Sequence, residues 1–132
     1  MVDTGLYRVI DANLNRLKEG IRVIEDMARY SDNNKALSSQ LKNLRHLAKI
    51  DDIQALLNSR DAQNDVLRPT IASEMERSSI ESIIIANYKR AQESSRVLEE
   101  IYKVVEPELS ERFKHIRYEL YTLEKNNLTA GK

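Results

Sequence analysis

Hydrophobic positions recur along this chain at intervals of three and four. Ile10, Leu14, Leu17, Ile21, Ile24 and Ala28 form one continuous apolar stripe, the mark of an amphipathic helix with a single buried face. The spacing predicts a helix from just after Asp3-Thr4-Gly5 to about Tyr30. Ser31-Asp32-Asn33-Asn34 reads as a turn that supplies the next N-cap. Leu37, Leu41, Leu44 and Ala48 then mark a second helix, and Ile53, Leu56 and Leu57 a shorter piece that extends it as far as Arg60. From Asp61 to about Ala72 the periodicity fails, in DAQNDVLRPTIA. Ser73 and Glu76 have capping-box spacing and predict the start of a third helix. Ile80, Ile84, Tyr88, Ala91 and Leu98 carry it to about Val105. Pro107 suits the first turn of a fourth helix, with Leu109, Phe113, Ile116, Leu120 and Leu123 as its stripe. Residues 126–132 are expected to fray.

The helices also repeat. ANLNRLKEGIRVIED begins at Ala12 and ANYKRAQESSRVLEE at Ala86, and seven of their fifteen positions are identical. Self-similarity at this level marks a duplicated unit. LSSQLKNLR from Leu37 echoes LSERFKHIR from Leu109 in the same way. The repeated unit is therefore a helical hairpin, spanning 7–50 and 74–125 around a unique connecting segment 51–73, within one helical domain of 1–132. Two hairpins bury their stripes best as an antiparallel four-helix bundle with an approximate internal two-fold. The expected fold is all-α.

Composition agrees, since the chain holds only three glycines and two prolines. Its 132 residues can bury a core without covalent staples. The lack of cysteine excludes disulfides and thiolate metal sites, and makes the cytoplasm the expected compartment. The N-terminal stretch carries charges throughout and has no apolar run of signal or membrane length. Twenty-one basic residues balance 21 acidic ones, which leaves no footprint for nucleic acid and none for a membrane surface. No glycine-rich phosphate loop occurs. Neither His46 nor His115 belongs to a Glu-x-x-His pair, so the di-iron bundle signature is absent. No nucleophile–base arrangement is readable. What remains is proton transfer by carboxylates, or clamping of an anionic substrate by arginines.

The positions kept between the repeats are mostly polar, and geometry says where they point. At about 100° per residue, with Leu17 at the centre of the stripe, Asn13 lies roughly 40° off and Arg16 roughly 100° off on one flank. Glu25 lies about 80° off on the other. Glu19 and Glu93 face away from the core, where a ladder of intrahelical ion pairs accounts for them. Asn13 and Asn87 sit at the stripe edge, where an amide must find a partner, either across the helices or on a ligand. Arg22, Glu25 and Arg45, with Arg96, Glu99 and Arg117 in the second copy, flank the seams. An arginine there braces a buried carboxylate or holds an anion. The irregular stretch from Arg60 to Ala72, hung on a rigid scaffold, is where a single site is expected.

RVIDANLNRLKEGIRVIEDMARY, followed by LRH, RDAQNDV and ANYKRAQESSRVLEE, resembles one family: the all-helical, monofunctional hydroxymethylpyrimidine phosphate kinases of bacterial thiamin biosynthesis. That domain is often fused in front of thiamin-phosphate synthase and is unrelated to the ribokinase-like enzymes of the same step. The resemblance runs from Tyr7 to about Tyr121, and the paired AN-x-x-R-x-x-E blocks are its most specific part. It implies transfer of the γ-phosphoryl group of ATP, with magnesium, onto 4-amino-5-hydroxymethyl-2-methylpyrimidine phosphate. Its partners would be that phosphorylated pyrimidine and a nucleotide. On this reading Arg16, Arg22, Arg45, Arg60, Arg90, Arg96 and Arg117 are the phosphate clamps, with Arg22, Arg60, Arg96 and Asp65 nearest the chemistry. Asp11, Glu25, Asp65 and Glu99 would bind magnesium or orient arginines, and Asn13 and Asn87 would read the pyrimidine or fix the helix seam. Leu67 departs from the family pattern, which places glycine after the Asp-Val pair, so the loop backbone is expected to sit differently here.

Thiamin-phosphate synthase activity itself is not expected, because the chain lacks the strand–helix alternation of that β/α-barrel. Two other classes fit the residues alone. One is a small helical mutase or lyase acting on an anionic dicarboxylate, as in helical chorismate mutases. The other is a non-enzymatic helical interaction module whose repeated charges set helix register. Tyr102, Tyr118 and Tyr121, on the outer faces, would pack a homodimer or complete the core.

Overall fold

Asparagine closes the first hairpin. Asn33 takes the left-handed backbone, with φ 51°, a conformation this side chain tolerates better than most. Asn34 then caps the following helix, its Oδ1 accepting the Leu37 N–H at 3.0 Å. The computed structural model describes residues 4–69 and 79–129. Helix α1 (Thr4–Asp26) ends in a π-helical turn (Met27–Ser31) and is followed by α2 (Lys35–Leu47), α3 (Ile53–Ser59), α4 (Ile80–Val105) and α5 (Pro107–Thr129). No strand occurs among the described residues, and no helix there is long and apolar enough to cross a membrane.

The long helices α1 and α4 lie against each other at the centre, with α2 packed on α1 and α5 on α4. The stripes anticipated from the sequence are the core: Ile10, Leu17, Ile21, Ile24, Leu41, Leu98, Phe113, Ile116 and Leu120 are sealed from solvent. Gly20 sets the central contact. A Cβ added there would meet the Asn87 carbonyl oxygen at 3.2 Å and the Ala91 Cβ at 3.5 Å, so glycine is what lets the two backbones come this close. Asn13, seven residues earlier on α1, shares a cavity with Ser94 and Val97. The two helices are therefore antiparallel, and the architecture is an all-α bundle of two hairpins related by an approximate two-fold. Between α4 and α5, buried Ser95 and Ser110 donate across the seam to the carbonyls of Phe113 (2.7 Å) and Glu99 (2.8 Å).

Four local expectations need correction or completion. The segment from Ile53 is a separate helix capped by Asp52, whose Oδ1 accepts the Ala55 N–H at 3.3 Å, and it packs on α1. Helix α4 is capped by Ser79 in a reciprocal box with Ser82; the box expected at Ser73 and Glu76 lies outside the described residues. The C-terminal tail does not fray as far as Thr129. Asn127 donates to the Tyr88 hydroxyl at 3.1 Å and Leu128 packs on the core, while residues 130–132 lie outside the described set. Tyr102 is interior, 3% exposed and stacked on Phe113 at 5.5 Å, whereas Tyr118 and Tyr121 stay exposed.

Gly20→Val is expected to lower the unfolding free energy by about 1–3 kcal/mol, because a branched side chain cannot fit beside the Asn87 carbonyl without moving the helices apart. Chemical denaturation of the two proteins checks it.

Candidate active site

Each hairpin contains one buried guanidinium–carboxylate pair, and the two pairs occupy equivalent places. Glu25 takes two hydrogen bonds from Arg45, at 2.7 and 3.2 Å. Glu99 takes one from Arg117 at 3.0 Å. Both glutamates are nearly sealed. Burial pushes the Glu25 carboxyl up, but the Arg45 hydrogen bond, its charge, and the charges of Arg22 and Lys42 outweigh this, and the net direction is down. The sequence leaves two options open for these four residues: phosphate clamps (Arg45, Arg117) with magnesium ligands (Glu25, Glu99), or arginines bracing buried carboxylates. The structure engages them with each other, as braces within each hairpin.

A different set of polar side chains is gathered at the α1–α4 seam. A cavity of about 470 Å³ is lined by Arg8, Asp11, Asn13, Arg16, Arg60 and, from the loop, Asp61 and Asp65. A second, of about 480 Å³, is lined by Asn13, Arg16, Lys89, Arg90, Glu93 and Ser94. Asn13 and Arg16 belong to both, so the two cavities form one groove with those residues at its waist. Arg16 and Arg90 are repeat equivalents, and the approximate two-fold relates them across the seam.

The asparagines behave identically in both copies. Asn13 Nδ2 donates back to the Val9 carbonyl at 2.9 Å and Asn87 Nδ2 to the Ile83 carbonyl at 2.8 Å. This fixes each amide and turns its oxygen the other way. Asn87 Oδ1 receives Arg90 at 3.5 Å, a long contact. Asn13 Oδ1 has no protein donor among the described residues, although Asn13 is only 5% exposed. It stands as an open acceptor on the shared wall.

One end of the groove has no counterpart in the repeat. Arg60 reaches from the end of α3 to Asp11 on α1 with two bonds, at 2.8 and 2.7 Å, and the Asp11 hydrogen bond and charge raise the Arg60 pKa. The position equivalent to Asp11 in the second copy is Ile85. This pair ties the loop after Arg60 to the groove. Within that loop Asp61 holds Asn64 at 2.8 Å and Asp65 Oδ1 accepts the Leu67 N–H at 3.0 Å. Leu67 is largely exposed and is not at positive φ, so nothing in its backbone demands a glycine.

The structure thus brings together Asp11, Asn13, Arg16, Arg60, Asp65 and Arg90 from the expected set. It leaves out Arg22 and Arg96, which are half exposed and paired with Asp26 (3.4 Å) and Glu100 (3.2 Å) one turn along their own helices. Asp11, Glu25 and Glu99 do not converge; each is taken by a different arginine. Lys89, Arg8 and Asp61 line the groove without having been singled out, and Glu93, expected in an intrahelical ion-pair ladder, instead lines it in no ion pair among the described residues. Lys89 could have been found, because it occupies the position of Asn15 in the repeat, beside Arg90. Arg8 has Ser82 at its equivalent position and Asp61 lies in the unique connecting segment, so neither carries such a signal.

The central seam of this all-α bundle of duplicated hairpins thus gathers four guanidinium groups and a lysine around an open amide. The ThiD2 family pattern matches residues 8–126, and the chain belongs to that family. Among curated relatives it is 40% identical over 126 residues to a thiamine-phosphate synthase of Nostoc punctiforme, covering 95% of this chain and 36% of that one. It is 36% identical over 131 residues to the thiamine-phosphate synthase of Prochlorococcus marinus strain AS9601, covering 98% and 37%. The chain spans about a third of the length of the curated relatives it matches. No solved structure matches it.

The brace predicts a pH signature. The folded Glu25 value lies below its ordinary 4.5, so the stabilisation it brings is complete above that pH and is lost as pH falls through the lower folded value. The stability gap between wild type and Glu25→Gln is expected to hold above the ordinary carboxyl value, to narrow as pH falls below it, and to close once pH passes below the lowered folded value. At neutral pH, Arg45→Met should cost about 3–5 kcal/mol by leaving Glu25 buried and unpaired. Denaturation at a series of pH values measures both.

Proposed function

We propose that this chain is a phosphotransferase of thiamin biosynthesis. It moves the γ-phosphoryl group of ATP onto the phosphate of 4-amino-5-hydroxymethyl-2-methylpyrimidine phosphate, giving the diphosphate and ADP. The observation that carries this reading is the α1–α4 groove, where Arg16 stands at the waist between a cationic cavity holding Lys89 and Arg90 and a loop-side cavity whose arginines are matched by aspartates. The names of the curated relatives and the family match support thiamin biosynthesis as the setting.

Phosphoryl transfer asks a protein for positioning and charge neutralisation more than for covalent chemistry. An oxygen of the acceptor phosphate bonds to the γ-phosphorus while the bond from that phosphorus to the β-bridging oxygen breaks, and ADP leaves with the electron pair. Two polyanions must approach each other, and their repulsion is the main obstacle. Arg16, shared by both cavities, is suited to the phosphoryl group in transit, with Arg90 and Lys89 on one side and Arg60 on the other. Asn13 Oδ1 accepts from the exocyclic amine of the pyrimidine. An acceptor without its own phosphate would leave these cations unpaired, which discriminates against the free alcohol.

Magnesium in such reactions is held by one or two carboxylates together with phosphate oxygens. Among the described residues no three carboxylates or histidines are placed to hold a metal alone. Asp61 and Asp65 stand on the wall of the loop-side cavity, and Asp65 Oδ2 has no hydrogen bond among the described residues. These side chains fit an ion that arrives with the nucleotide, where it would offset phosphate charge.

ATP consumption is expected with the pyrimidine monophosphate and not with the unphosphorylated pyrimidine. Arg16→Ala and Arg90→Ala should each lower kcat/KM about a hundredfold or more, while Arg22→Ala and Arg96→Ala stay within a few-fold of wild type. A coupled ADP-release assay decides it. Equal turnover of both pyrimidines, or normal turnover in Arg16→Ala, would remove the proposal.

A further inference from the structure

A second groove runs along the outer side of the first hairpin, between α1 and α2. One cavity in it, of about 330 Å³, is walled by Arg29, Asn33, Lys35, Ser38, Ser39 and Lys42, with the Arg45-paired Glu25 carboxylate at its base. Another, of about 320 Å³, is walled by Lys18, Arg45, His46 and Lys49. On α2 these lining positions recur at three and four, so they share one face of one helix. From Lys35 to His46 that face runs about 16 Å, and Lys49 follows just past the end of the helix. It shares no lining residue with the α1–α4 groove.

Positive charge is in excess here: among the described residues Glu25 is the one carboxylate on the wall, and Arg45 already holds it. The chain is neutral as a whole, yet no acidic residue occurs from Asn33 to Ile50. Among the described residues Lys18, Arg29, Lys35, Lys42 and Lys49 enter no ion pair; only Arg45 does, with Glu25. Like charges three and four residues apart on a helix repel. An ordinary solvated helix face interleaves both signs, and this one does not.

The second hairpin shows what the same frame looks like when closed. Where the first copy has Ser39 and Leu47 the second has Glu111 and Glu119. Where the first has His46 and Lys49 the second has Tyr118 and Tyr121, whose rings lie 4.9 and 5.8 Å from the Arg117 guanidinium. Lys103, the equivalent of Arg29, is paired with Glu100 at 2.8 Å. Ser110 reaches across to the Glu99 carbonyl, while its equivalent Ser38 bonds only to Lys35 in its own helix, at 3.2 Å. The second copy keeps Lys114 at the position of Lys42 but adds two glutamates and two tyrosines to this face. The other is open and cationic.

We infer that the α1–α2 groove is a second anion site, taking a linear oligophosphate of two or more phosphoryl groups. Lys35 and Lys42 act as point charges, Arg29 supplies a guanidinium fork, and the two serine hydroxyl groups donate to phosphoryl oxygens. Because these groups are brought together only when α1 and α2 are packed, the ligand binds the folded state and stabilises it by mass action. The site stands independently of the phosphotransferase reading.

Thermal unfolding with inorganic tripolyphosphate, against sodium chloride at matched ionic strength, tests it. Wild type is expected to gain about 4 °C with tripolyphosphate beyond the salt control. The Lys35→Ala/Lys42→Ala variant should lose that gain and keep its phosphotransfer turnover, whereas Arg16→Ala/Arg90→Ala should keep the gain. Repeating the titration with ATP distinguishes a nucleotide source from a free oligophosphate, since only a nucleotide-reading site would prefer ATP. A gain that survives in the Lys35→Ala/Lys42→Ala variant, one that sodium chloride reproduces, or one lost in Arg16→Ala/Arg90→Ala would overturn the inference. So would a preference for single-stranded RNA with no response to tripolyphosphate.

Discussion

A carboxylate sealed between helices is tolerable only when a cation reaches it with hydrogen bonds, because its desolvation is otherwise uncompensated. Glu25 and Glu99 impose that condition on the two hairpins, and Arg45 and Arg117 meet it. Hydrophobic stripes alone would allow neighbouring helices to slide by a turn at modest cost. The braces add a directional term to packing that is otherwise permissive. Each hairpin thereby has a fixed register, and the close approach at Gly20 fixes the hairpins against each other. The positions of Arg16 and Arg90 in the central groove follow from those two constraints, while Arg60 is placed by its pair with Asp11.

The braces also explain why the repeat preserves polar residues while its apolar ones drift. Leucine, isoleucine, phenylalanine and alanine can replace one another in a stripe if neighbouring volumes adjust. A glutamate and arginine facing each other inside a hairpin have no such freedom. The asparagines are constrained similarly, since each turns its amide nitrogen to a carbonyl one turn back. Conversely, Arg22 and Arg96 persist as ordinary surface partners of the next turn, which shows that identity within a repeat does not by itself mark a site.

Much of the fold was legible because helical periodicity is a local property. The stripes from Ile10 to Ala28 and from Leu109 to Leu123 needed no tertiary information. The brace between Glu25 and Arg45 was legible as one of two options at a seam. What could not be read was anything dependent on how the chain folds back. The Asp11–Arg60 pair joins residues 49 positions apart, and no periodicity reports such a closure. The separate α3 and the anchored end of α5 were missed for the same reason. Asp52 caps a helix that the stripe alone would continue, and Asn127 finds its partner only because Tyr88 is nearby in space.

Duplication creates a difficulty that the Asp11–Arg60 pair resolves. A frame built twice offers both of its ends the same seat, and two identical seats cannot tell a donor from an acceptor. Only the first copy has an aspartate at this position; the second has Ile85. The strap drawn down by Arg60 therefore gives the groove a head and a tail, and polarity of this kind is what a reaction between unlike reactants requires of an otherwise two-faced scaffold.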